Sequence, residues 1–253
     1  MSDPDFELVK SGFLSELTGV RHGFAIGRDL GAPAIDFASR PGNETDFFDG
    51  WRRAVQEVRP DLGPEHVALL DQVHGGEVVY ATTGSGPAHP IGEFDGSVSA
   101  SADVILTVRT ADCVPVLFGT PSCVGVAHAG WRGVAAQVVQ NTVARLLAVG
   151  GESPEDVRAF IGPCISGRRY EVGEEVCHSI EKTGVPRSAF VTIREGAIHA
   201  DLGAAVEVQL RRMGIVKIDR IERCTFDDTR LHSYRRDGRD SGRLAGFISR
   251  DVK

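Results

Sequence analysis

The sequence predicts an α/β fold of the α+β kind, in a single domain over residues 1–253, and three observations carry that expectation. With 253 residues, 42% of them hydrophobic and 25% charged, the chain is ordinary for a globular protein and long enough to bury a full core. Several short apolar runs separated by Gly, Pro, Ser and Asp come before any long helical pattern. Apolar side chains then recur at helical spacing over residues 134–149 and 202–213.

Taken in order, residues 1–50 open with a short apolar segment, Phe13 to Leu17. A Gly/Pro/Asp-rich stretch that reads as strand and loop follows. Asn43 or Thr45 is placed to cap a helix running to about Val58, with Phe47, Phe48, Trp51, Ala54, Val55 and Val58 as its apolar stripe. The segment HVALLDQVHGGEVVYA reads as two strands meeting at Gly75-Gly76, with His74 at a strand end. Residues 81–92 form a loop, Phe94-Asp95-Gly96 a turn, and Ser101 to Val108 a strand entering the next hairpin.

That hairpin, Thr110 to Gly133, is the stretch around which the chain is organised. Val114 to Phe118 and Cys123 to Ala127 flank Gly119-Thr120-Pro121-Ser122, and a turn symmetric about Thr120 and Pro121 pairs residues whose numbers total 241. Cys113 and His128 then face each other, close enough to share a metal ion or a proton. Pro115, Leu117, Val124 and Val126 alternate onto the same face, so the pair sits at the mouth of an apolar surface. The same pattern also fits a buried free cysteine beside a core histidine. An amphipathic helix over about Val134 to Val149, stopped by Gly150-Gly151, comes next.

Farther on, VRAFIG reads as a buried strand and Glu171 to Lys182 as a helix. His199-Ala200-Asp201 opens another helix, Leu202 to Met213, and IVKIDRIERCTF holds two short β-like runs. The final segment carries arginines at 230, 235, 236, 239 and 243, with Arg168 and Arg169 earlier. Guanidinium forks suit bidentate contact with phosphate or carboxylate, although a solvated loop balancing nearby aspartates gives the same composition.

Bulk properties narrow the function. A net charge of -7 disfavours a partner such as nucleic acid, which would require a basic surface. No run reaches the roughly 18 apolar residues of a membrane span, and the N-terminus lacks a signal-peptide pattern, so a cytoplasmic location is expected. Five cysteines in irregular positions fit a reducing compartment better than a disulfide framework.

The motifs QVHG at 72–75, TADCVPVLF at 110–118, AHAGWRG at 127–133, IGPCI at 161–165, YEVG at 170–173 and SYRRDG at 233–238, in this order, resemble the YfiH family. That family is also called peptidoglycan editing factor and was long catalogued as polyphenol oxidase or multicopper laccase. The likeness runs from about His22 to Ile248 and implies mixed β-sheets layered between helices. It implies a mononuclear metal site of His74, Cys113 and His128, which includes both residues paired by the hairpin register. From an Asn-Arg pair on the family's first helix, here Trp51-Arg52, Arg52 carries over as a catalytic candidate. Asp112 is a further catalytic candidate from the same motifs, and Gln72, Arg132, Tyr234, Arg235 and Arg243 are substrate-binding candidates.

Two His and one Cys leave an open position on a tetrahedral Zn²⁺, the pattern of a catalytic site. The resemblance implies purine nucleoside chemistry: phosphorolysis of adenosine, inosine, guanosine and methylthioadenosine with phosphate as partner substrate, and adenosine deamination. Asp71, Asp95 and Asp112 stand beside the motifs, where each could orient water or accept a proton. Alternatives remain open. A copper oxidase fits less well, because a trigonal copper site usually has a weak axial Met and only Met1 and Met213 exist. Cys113 with His128 as base would make a metal-free hydrolase, including one that edits peptidoglycan precursors. A zinc used only for stability would leave a non-enzymatic protein.

Overall fold

The computed structural model describes residues 6–27, 35–38 and 44–251. Strand β1 (Phe6–Val9), the short helix α1 (Gly12–Ser15) and strand β2 (Val20–Gly27) lead to helix α2 (Glu44–Val58). The α2 stripe forms as its spacing requires, with Phe47, Trp51, Ala54, Val55 and Val58 buried, while Phe48 is 42% exposed. Thr45 lies inside the helix rather than capping it, and Asn43 falls outside the described residues.

Strands β3 (Val67–Ala68), β4 (Val78–Tyr80), β5 (Gly96–Ser99), β6 (Ile105–Thr110), β7 (Val114–Gly119) and β8 (Val124–Ala129) follow before helices α3 (Trp131–Ala135) and α4 (Val138–Gly150). The remainder is β9 (Arg158–Ile161), α5 (Glu174–Glu181), β10 (Val191–Arg194), β11 (Ala197–Ala200), α6 (Leu202–Arg212), β12 (Lys217–Arg220), α7 (Tyr234–Asp237) and β13 (Leu244–Arg250).

The strands make two mixed sheets and one small hairpin. A five-stranded sheet has the order β1-β2-β13-β6-β3, a six-stranded sheet the order β12-β9-β7-β8-β5-β4, and β10 pairs β11. Three apolar clusters set the layers. Phe37, Phe47, Trp51 and Phe247 join α2 to the outer face of the five-stranded sheet. Leu106, Val108, Leu117, Val124, Val126 and Ile248 fill the space between the sheets. Val116, Phe118, Val143, Leu146, Ile180 and Val206 hold α4, α5 and α6 to the far side of the six-stranded sheet. Mixed sheets between helices are therefore the architecture, as expected.

Several elements differ from the sequence reading. No hairpin forms at Gly75-Gly76, because β3 belongs to the five-stranded sheet and β4 to the six-stranded one. The chain between them crosses from sheet to sheet, and His74 adopts a left-handed conformation (φ 63°) in that crossing. β5 occupies residues read partly as a turn, and β6 pairs with β13 and β3 rather than with the central hairpin. The helix expected from 134 to 149 is two helices, divided where Gln137 turns left-handed (φ 59°). β13, unassigned from the sequence, is buried in the middle of its sheet.

Candidate metal centre and cleft

In the central hairpin, Pro115 faces His128 and Gly119 faces Val124, a register whose paired numbers total 243 rather than 241. The turn is Thr120 to Cys123, closed by Thr120 N–H donating to the Cys123 carbonyl at 2.9 Å, so Pro121 takes the first central position where its fixed φ fits. Cys113 is therefore not directly opposite His128. The slip is two residues, and an even slip keeps every side chain on its face. Cys113 and His128 become diagonal neighbours, about 7–8 Å apart at Cα and still within side-chain reach.

His74 reaches the pair from the crossing loop. Its Nε2 lies 3.8 Å from the Cys113 sulfur, its ring centroid is 4.8 Å from that of His128, and one donor atom from each of the three residues falls within 4.8 Å of the others. With metal bonds of about 2.0–2.3 Å, such a triangle suits one tetrahedral ion with a vertex left open. Among the described residues this is the one group of three or more His, Cys, Asp or Glu donors able to hold an ion. Gly130 is fixed by the same crowding, since a Cβ there would stand 2.8 Å from His74 Cδ2 and 3.0 Å from the Cys113 sulfur.

Asp95, fully buried, organises the triangle. Its carboxylate accepts from His128 Nδ1 at 2.8 Å and from the main-chain N–H groups of Val73, His74 and Gly75 at 3.2, 2.9 and 2.5 Å. A carboxylate can only accept, so Nδ1 of His128 carries the proton and Nε2 is left toward the cleft. Burial alone would raise the Asp95 carboxyl, but these donors hold it below its usual range. Burial likewise pushes the Cys113 thiol up, yet the charge and hydrogen bonds of His128 and His74 bring it down to about 6. His128 is lowered by burial and raised more strongly by the Cys113 thiolate and Asp95, to about 9. The two form a thiolate–imidazolium pair when no ion is bound.

The triad opens on a cleft of about 620 Å³ lined by Gln72, Arg109, Asp112, Trp131, Arg132, Tyr170, Tyr234, Arg235 and Arg243 among others. The sequence candidates divide here. Arg132 stacks over the Trp131 ring at 4.5 Å and Arg235 over the Tyr170 ring at 5.0 Å, and Tyr234 is 51% exposed. Gln72 is committed to structure, its amide accepting from Arg109 N–H at 2.8 Å and donating to the Arg109 carbonyl at 2.6 Å. Asp112 (φ 90°) is also engaged at both oxygens, accepting from the Thr225 hydroxyl and from the Arg235 N–H at 2.6 Å each. Its carboxylate anchors the start of α7. Arg52 does not line the cleft; it sits on α2, 62% exposed, paired with Asp49 at 2.7 Å. Of the other arginines singled out in the sequence, Arg230 pairs with Asp228, Arg236 with Asp237 and Arg169 with Asp227.

Sequence reasoning passed over Arg109 and Tyr170. The only trace of Arg109 was one charge inside the apolar run ILTVRT, and Tyr170 lay within a motif whose chemistry its spacing did not reveal.

A family model described as multi-copper polyphenol oxidoreductase laccase matches residues 48–251. The chain is 37% identical over 183 residues to a purine nucleoside phosphorylase of Deinococcus radiodurans, covering 72% of this chain and 69% of the relative. It is 35% identical over 190 residues to the purine nucleoside phosphorylase YfiH of Escherichia coli, covering 73% and 74%. Among solved structures, a hypothetical protein YfiH of Bacillus licheniformis superposes with a TM-score of 0.85 at 25% identity, covering 99% of this chain and 98% of that one. YlmD from Geobacillus stearothermophilus gives 0.84 at 27% identity, covering 99% and 100%.

Proposed function

The chain belongs to the YfiH family, whose model is described as multi-copper polyphenol oxidoreductase laccase, and from that premise we propose that it is a cytoplasmic zinc-dependent purine nucleoside enzyme. The activities are phosphorolysis of adenosine, inosine, guanosine and methylthioadenosine, together with adenosine deamination. One observation carries the reading: a three-donor His/Cys/His triangle opens on a cleft of about 620 Å³ with stacked aromatics and arginines on its walls. The relatives bearing the name purine nucleoside phosphorylase support it.

His74, Cys113 and His128 would hold the ion, which supplies Lewis acidity toward a substrate oxygen or a bound water. Around it, Asp95 fixes the donor face of His128 and the backbone of His74. Trp131 and Tyr170 offer faces for a purine, and Arg132 and Arg235 beside them bring positive charge to the same wall. A copper oxidase is less well supported, because Met213 ends α6 among the helices and does not line the cleft.

The decisive assay is turnover of adenosine with and without phosphate by the zinc-loaded protein. Adenine with ribose 1-phosphate, formed only when phosphate is present, supports the phosphorylase reading; adenine with free ribose at an unchanged rate without phosphate refutes it. Inosine formed without phosphate identifies the deaminase activity.

A second reading draws on the thiolate–imidazolium pair, with Cys113 as nucleophile and His128 as its base. A chelated, metal-free sample separates the two. The metal reading requires activity to be lost there and in His74→Ala alike, whereas the nucleophile reading requires it to survive in both.

A further inference from the structure

Arg109 and Arg243 make a second polar centre on the cleft wall. Arg109 stands opposite Ala245 in the antiparallel pair of β6 and β13, so Arg243, two residues before Ala245, lies diagonally across on the same side. Both line the cleft that holds the metal triangle. Their side-chain hydrogen bonds among the described residues go to main-chain carbonyls only. Arg109 reaches Phe37 and Leu70 at 3.4 Å each, and Arg243 reaches Ser241 and Gly242 at 2.8 and 2.9 Å. Arg109 Nε is buried with no hydrogen-bond partner among the described residues.

The arrangement contrasts with that of Arg59. The buried Arg59 is answered by Asp61 and Asp251, at 2.6 and 3.1 Å. Two carboxylates act on Arg109 from nearby: Asp36 spends Oδ1 on the main-chain N–H groups of Ala38 and Arg243, and Asp71 lines the same cleft without an ion pair to either arginine among the described residues. Burial first, and then the charge of Arg243, pull the Arg109 guanidinium below its ordinary range, and the smaller opposing pull of Asp71 and Asp36 does not offset them. Two neighbouring half-buried cations with open donors are matched by an anion with oxygens to accept from both.

We infer that Arg109 and Arg243 form a phosphoryl-group subsite of the cleft, each guanidinium donating to oxygens of one tetrahedral dianion. What the phosphoryl group does there rests on the nucleoside reading, but the subsite can be tested without turnover. Two sources supply this chemistry: orthophosphate, and the 5′-phosphate of a nucleotide.

Isothermal titration of orthophosphate, and separately of adenosine 5′-monophosphate, into zinc-loaded wild type, Arg109→Met, Arg243→Met and Arg109→Lys tests it, with melting curves to verify folding. The wild type is expected to bind, each Met variant to bind about 10- to 100-fold more weakly, and Arg109→Lys to fall between, since it keeps charge but loses the fork. Loss confined to orthophosphate assigns free phosphate; loss for the nucleotide, with mutual displacement, assigns the ester. No binding of either anion to wild type, or equal affinity in both Met variants, overturns the inference. Should Arg109→Met not fold, Arg243→Met decides alone, because among the described residues the Arg243 side chain bonds only to its own neighbours Ser241 and Gly242, whereas Arg109 ties distant segments together. The outcomes also separate this subsite from the catalytic reading. Phosphate-dependent adenosine cleavage with an unchanged phosphate KM in both variants removes the subsite and keeps the activity. Anion binding lost in the variants beside phosphate-independent cleavage does the reverse.

Discussion

Asp95 bonds at once to the imidazole of His128 and to three consecutive main-chain N–H groups, so one buried carboxylate sets the tautomer of one donor and the backbone of another. Asp95→Asn would turn an amide NH₂ toward groups that are themselves donors. Metal affinity should fall about 10- to 100-fold, measured by competition with a fluorescent chelator, and an unchanged affinity would show that Asp95 has no such role. Cys113 gives a pH-dependent test. Its thiol titrates at about 6 instead of 9.0, so in metal-free protein the thiolate fraction rises as pH increases through about 6 and is already near its plateau at neutral pH. Alkylation mapped by mass spectrometry should follow that curve at Cys113, while Cys123, Cys164 and Cys177, buried with raised thiols, react little. A midpoint near 9 at Cys113 would contradict the ion pair. These residues were unequally legible. Cys113 and His128 announced themselves by sharing a strand face, but Asp95 looked like a turn residue because its role lies in backbone contacts 20 to 22 positions away.

The central hairpin illustrates how an element can be read correctly and its register misread. Its two strands and its turn were visible as apolar runs around Gly119 to Ser122, and the error came from centring the turn one residue too early. Placing Pro121 at the first central position, where its ring already holds the required φ, would have recovered the observed pairing. The Gly75-Gly76 hairpin failed for another reason: a favoured turn dipeptide says nothing about which sheet each flanking run joins, and that is decided by long-range pairing. The break between α3 and α4 was invisible because the apolar period continues across it, with Val134, Val138 and Val139 all buried. Gln137 there holds φ 59°, a conformation costly for a residue with a Cβ, and its side chain is exposed. Gln137→Gly should therefore stabilise the protein by about 0.5–1 kcal/mol, raising Tm by roughly 1–4 °C in calorimetry. A lowered Tm would mean that the glutamine side chain contributes more than the backbone loses.

At the scale of the molecule, the mixed sheets layered between helices were expected from the family resemblance, with which the strand and helix patterns agreed, whereas the place of β13 was not legible, because its partners β2 and β6 are about 140 to 230 residues away. The metal triangle lies where the chain passes between sheets: His74 on the crossing from β3 to β4, Cys113 on the crossing from β6 to β7. Zinc bound there should tie the two sheets together. At 1,000 times its Kd a ligand of the native state adds about 4 kcal/mol, or roughly 8–16 °C in Tm for a chain of this size. Chelation should lower Tm by that amount in scanning calorimetry, and His74→Ala should abolish the difference; an equal Tm with and without zinc would show that the ion does not join the sheets. The Asp95 hydrogen bonds also bear on how quickly such a site fills. A triangle already held by the protein's own bonds has no ordering step to complete before capture, so in a stopped-flow mixing experiment the observed loading rate should climb in proportion to zinc concentration without levelling off.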